Sequence, residues 1–199
     1  MNRYVYRLFA AHFFLSLSFY IWRGVLNNFL VEDLGATGFD RGLMESVREV
    51  PGLLSVLLMA VLGAIAEPLL GFLCMMLLAG GTFMFSLSQD VTSTLLPLFV
   101  ASMGIHLWIP VRGSLLLSLT HRRSTGAVLG DASAVAGIAA LAGSALVYLS
   151  VGRAGYRGVL WESVEAALLG ALVMLGLSAV ALVAATFVPT KGELEAKEA

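Results

Sequence analysis

His12, Ser16, Tyr20, Arg23 and Asn27 are spaced four, four, three and four residues apart in an otherwise apolar run. That spacing is one face of an α-helix. An arginine and an asparagine amid LFAAHFFLSLSFYIW and VL can hydrogen-bond a polar or charged solute, but they face lipid only at a cost, so the stripe belongs against protein or a water-filled cavity. The alternative for Arg23 is snorkelling to the headgroups. Glu45 and Glu49 share a face four residues apart, with Arg48 beside them. An up-down helix pair brings these acids to the depth of Arg23, so an ion pair from Arg23 to Glu49 or Glu45 is expected. A purely structural charge network at the rim is the alternative. His106 stands on a face with Ser102, Pro110 and Gly113. An imidazole there either bonds a neighbouring helix as a neutral group or exchanges protons and contacts solute. Arg112 and Asp131 lie at matching depths on consecutive helices and are expected to pair.

The elements that must carry these residues are membrane spans. The chain has 199 residues, 59% hydrophobic and 13% charged, well below the roughly 25% charged of a soluble domain. Leu69 to Ser88 and Ala166 to Val188 carry no charge at all. Each is long enough to cross about 30 Å of hydrocarbon as a helix. The expected fold class is therefore all-α, a polytopic membrane protein of six transmembrane helices at about 6–30, 43–66, 69–88, 92–119, 126–150 and 159–188. A polar tail follows over 189–199. The second span must reach back through Glu49, Arg48 and Glu45, because its charge-free part covers only about 24 Å. VGRAGYRG is expected to link the fifth and sixth spans. The stripe Gly126, Gly130, Ala134, Gly137, Ala140 and Ser144 suits close packing against another helix.

Positive charge sets orientation. Arg3, Arg7, Arg122, Arg123, Lys191 and Lys197 fall on one side, and Arg41, Arg153 and Arg157 on the other. This predicts a multi-pass protein of the inner or plasma membrane with both termini cytoplasmic. Bulky Tyr20, Ile21 and Trp22 argue against signal cleavage after the first apolar run. A net charge of −1 gives no basic excess for nucleic acid. No His-Glu-x-x-His, nucleophile motif or Cys/His cluster occurs, so no enzyme activity, metal or cofactor is expected. Cys74 reads as a small core hydrophobe.

Two stretches carry a family resemblance: FLVEDLGATGFDRGLMESVREVPGLLSVLLMAVLGAIAEP, and IPVRGSLLLSLTHRRSTGAVLGDASAVAG with its Arg123, Gly126 and Gly130. They resemble the N-terminal six-helix half of a major facilitator superfamily transporter, and the resemblance covers nearly the whole chain. It implies alternating access between two halves, with the first and fourth spans lining a cavity. Arg23, Asn27 and His106 are then the expected solute contacts, Glu45, Arg48 and Glu49 an outer charge network, and Arg112 with Asp131 an inner one. The arginine leans toward an anionic or zwitterionic small solute. Departures from the family pattern are clear. Gly63, Ala66, Glu67 and Gly71 echo the inner-loop motif, but Pro68 replaces its arginine. Leu98 stands where drug exporters place an arginine, and Gly143-Ser144 where antiporters place Gly-Pro. A drug/proton antiporter is not favoured. Three situations stay open: a fragment, a self-pairing half, or a half with a separate second chain. The rival reading is a non-transporting membrane scaffold or assembly partner with the same half fold.

Overall fold

The computed structural model describes residues 3–120 and 125–187, with side chains to Ser178. Among these residues every regular element is helical: α1 (Arg3–Asn28), α2 (Gly38–Leu62), α3 (Glu67–Ser86), α4 (Val91–Leu119) and α5 (Thr125–Phe187). A π-helical turn, Phe29–Asp33, ends α1. Helix ends follow local chemistry. Thr37 accepts from the Asp40 backbone while the Asp40 carboxylate accepts from Thr37, a reciprocal box that starts α2. Asp90 and Ser93 start α4 in the same way. Pro68 sits in the first turn of α3, where its missing N–H costs nothing.

The 63-residue α5 replaces the expected loop at VGRAGYRG. Helix continues through this stretch except at Gly155, whose φ of 66° and ψ of 178° lie outside the helical region and favour glycine. Contacts with α1 show that the chain reverses there. Gly143 meets Tyr20 and Ile21, and Val147 meets Gly24, so the first leg runs parallel to α1. Ser163 bonds Ser18, and Gly170 meets Phe14 and Ala11, so the second leg runs antiparallel. The reversal is clasped on two sides. The Tyr156 hydroxyl donates to Glu32 at 2.8 Å and accepts from Asn28 at 3.4 Å. Arg157 donates to the carbonyl of Ser86 and, at 2.7 Å, to that of Ser88. A guanidinium on the Ser86 carbonyl and on the turn just beyond it suits the negative end of α3.

Four helices are long and apolar enough to cross a membrane: α1 with its π turn, α3, α4 and α5. The expected six therefore reduces to four by this measure. The two legs of α5 count once, and α2, with Glu45, Arg48 and Glu49 in its first half, falls outside. The core lies where α1 is wedged between the legs of α5, and where α3 packs on α4 and the second leg. Trp22, Phe29 and Phe85 fill one end of it and Met75, Leu78 and Met174 its middle. Cys74 is buried there as a hydrophobe. The α3–α4 approach is backbone-close. A methyl on Gly104 would collide with the Cys74 carbonyl and the Leu78 amide, and one on Gly81 with the Ala101 backbone. The stripe Gly126, Gly130, Ala134, Gly137 and Ser144 is by contrast exposed, and a methyl on its glycines meets open space. Within this chain that face packs against nothing described.

Two outcomes follow. Gly104→Ala should cost about 1–3 kcal/mol by overpacking, whereas Gly137→Ala should leave stability unchanged or raise it. Unfolding midpoints of the two variants in one detergent check this. The Thr37 hydroxyl and amide hold the Asp40 carboxyl below its usual value, so the box stabilises α2 above the ordinary carboxylate range and is lost as pH falls through the lowered value. Thr37→Ala should move the Asp40 titration midpoint upward, read by carboxyl carbon NMR.

Candidate functional site

Two polar clusters inside the helices each include a histidine. The first lies between α2 and α4. Arg48 Nη2 is 2.7 Å from Glu45 Oε2 and 2.5 Å from Glu49 Oε1, and its Nε donates to Glu45 Oε2 at 2.7 Å. The arginine is largely covered, while the two acids are about half exposed. His106 brings Nε2 within 3.9 Å of Glu49 Oε2, an ion pair only if the ring is protonated. Its imidazole lies over Gly52, whose absent side chain makes the space: a Cβ there would sit 3.0 Å from the ring. Ser102 Oγ donates to the Arg48 carbonyl at 2.5 Å. Pro51, one turn on, has no N–H to give the α2 ladder and loosens that turn. The trio Glu45, Arg48 and Glu49 carries one net negative charge, and a protonated His106 would cancel it.

The second cluster lies among α1, α4 and the first leg of α5. His12 is 3% exposed. Trp108 Nε1 lies 3.2 Å from its Nδ1, Arg112 Nη1 2.9 Å from its Nε2, and Ser16 Oγ 3.3 Å from its Nδ1. The backbone of Ala132, on the first leg of α5, lies beside the ring. Just beyond, Ser114 donates to Glu67, tying α4 to the start of α3.

The expected ion pairs are replaced by others. Arg23 is exposed and forms no ion pair with Glu45 or Glu49 among the described residues, because Arg48 on their own helix already lies between them. Asn27 is exposed beside it. The polar stripe of α1 therefore divides: His12 and Ser16 are buried in the bundle, Tyr20 is half-buried, and Arg23 and Asn27 stand uncovered. Arg112 turns to His12, and Asp131 is exposed with no partner among the described residues. His106 meets α2, and no hydrogen bond or ion pair joins it to Arg23. The hub formed by His12 and Trp108 was not legible as a site. The only signal in the sequence was His12 on the polar face, since Trp108 reads as one more apolar residue.

The helix arrangement has a solved counterpart. A structure described as the crystal structure of an auto-inhibited POT family peptide transporter matches at a TM-score of 0.68 and 15% identity. The match covers 87% of this chain and 37% of that one. No family model matches the sequence, and neither does any curated protein. At this identity the likeness is one of fold. This chain's fold is similar to part of that transporter's, which agrees with the expected transporter half at the level of fold.

Arg48→Ala and Glu45→Ala should be coupled by on the order of 0.5 kcal/mol in a double-mutant cycle, as a half-exposed pair within one helix. Arg23→Ala should change stability by less than about 0.5 kcal/mol and show no coupling to Glu49→Ala. Chemical unfolding in detergent measures both, and a coupling of Arg23 to Glu49 would contradict the observed pairing.

Proposed function

We propose that this chain is one half of a secondary transporter of the major facilitator type, with six membrane spans and both termini in the cytoplasm. It moves a small anionic or zwitterionic solute by alternating access. The observation that carries the reading is the fold match, which takes in most of this chain and little more than a third of a transporter. The two legs of α5 each have span length, and α2 completes six if its charged first half lies toward one membrane surface. Arg23 and Asn27 on α1, with His106 on α4, are the proposed solute contacts. The network Glu45, Arg48 and Glu49 gates the outer side. The peptide named for the matching transporter is zwitterionic, which fits the same class of solute, but the shared fold does not select it.

A second half is the proposed partner. The small-residue face of α5 and the apolar residues Leu53, Val56, Leu57 and Val61 of α2 are exposed, as are Arg23 and Asn27. Arg23 would cost about 2.5–3.5 kcal/mol on insertion scales if it lay at mid-bilayer and less near the rim, and a second half would lower that cost in either position. The non-transporting scaffold remains the second reading, favoured by Pro68 in place of the inner-loop arginine.

Proteoliposome uptake separates the two. The chain, expressed with its genomic neighbours and mass-measured in nanodiscs, should contain at least two six-helix halves. It should concentrate a labelled amino acid, dipeptide or dicarboxylate from a panel. Arg23→Gln or His106→Gln should lower the initial rate at least tenfold while leaving the particle mass unchanged. A stable assembly that moves none of the panel would support the scaffold.

A further inference from the structure

The donors around His12 outnumber what its ring can accept. A neutral imidazole has one N–H and one lone pair. Arg112 and the Trp108 indole can only donate, and they address different ring nitrogens, Nε2 at 2.9 Å and Nδ1 at 3.2 Å. Whichever nitrogen carries the proton, one donor faces an N–H. Protonating the ring makes this worse, since both nitrogens then donate. Arg112 is short of acceptors elsewhere too: its Nε is buried with no hydrogen-bond partner among the described residues. No carboxylate there forms an ion pair with it. Glu67 is held by Ser114, and Asp131 is exposed. The cluster is thus a guanidinium with surplus donors, set between helices and lacking a counter-charge.

We propose that Arg112, His12 and Trp108 form an oxyanion-binding site that takes a carboxylate or phosphate group. An oxyanion between Arg112 and the ring resolves the conflict. His12 takes its Nε2–H form, its Nδ1 lone pair accepts Trp108, and Nε2–H points to the anion. The Arg112 guanidinium, now freed of the ring, presents its planar fork to the same group, the geometry in which arginine binds carboxylate and phosphate best. Ser16 Oγ, one turn along α1, lies 3.3 Å from the same Nδ1 and helps to hold the ring in place. The site is separate from Arg23, Asn27 and His106, and it requires binding, not transport. The oxyanion can come from a free solute or from a lipid phosphate, and the chemistry of the site is the same for both.

Trp108 is its own reporter. With Trp22→Phe and Trp161→Phe, its emission should be recorded in nanodiscs of phosphatidylcholine at constant ionic strength, during titration with inorganic phosphate and with acetate, against chloride. A second series should use nanodiscs containing phosphatidylglycerol. A saturable change with phosphate or acetate in the first series supports the site and a free anion as its source. A change that needs phosphatidylglycerol supports the site with lipid as the source. In either series Arg112→Gln should raise the half-saturation point at least tenfold. If that variant is not monodisperse, Arg112→Lys, which keeps the charge but loses the fork, should raise it at least threefold. No saturable change in either series, or one that neither Arg112 variant moves, overturns the proposal. The titration needs no uptake, so a chain that binds here without transporting would leave this inference standing and remove the transport reading.

Discussion

Hydrocarbon gives a polar group no water, so a hydroxyl or imidazole on a spanning helix turns to its own backbone or to a neighbouring helix. In this protein the bonds from α1 to its neighbours go far to set how the other helices sit. His12 reaches α4 through Trp108 and Arg112, and Ser18 reaches the second leg of α5 through Ser163. Ser163 also donates to the Ser18 carbonyl at 2.8 Å. These bonds fix the register of two elements against α1, and the apolar core around Trp22, Phe85 and Met75 closes over them. Packing supplies most of the cohesion, and the buried polar contacts select which packing is adopted.

The charged residues follow a different rule, that of the nearest available partner. Arg48 lies three residues from one glutamate and next to another, so its pairing is complete before α2 meets any other helix. Arg23 has no acid at a helical spacing on its own helix and remains uncovered. Local pairs need no tertiary structure to form, and for that reason the Arg48 pairs within α2 took the place of the one expected from Arg23.

Much of the architecture was legible because apolar length and helical punctuation are local properties. Asp90 and Ser93, Thr37 and Asp40, and Pro68 each mark a helix start by chemistry visible in a few residues. The link between the last two spans was not legible. Its glycines and arginines read as a loop, whereas only Gly155 leaves the helix, and the arginine at 157 is spent on carbonyls of a different helix. The proposed sites divide the same way. Arg23, Asn27 and His106 announce themselves as polar residues in apolar surroundings. The hub at His12 depends on Trp108 and Arg112 of α4, an approach across nearly a hundred residues that no spacing rule contains.

The reversal at Gly155 has mechanical meaning. A loop of several residues would let two helices tilt independently, because slack in the chain absorbs the motion. Here helix runs up to the reversal from both directions, and one residue carries the whole turn. The chain has no slack at this end, and Tyr156 and Arg157 pin it to α1 and α3. The two legs are joined like the arms of a tuning fork. A displacement imposed on one is handed to the other through the joint, and relative movement between them is greatest at the far, open end of the pair.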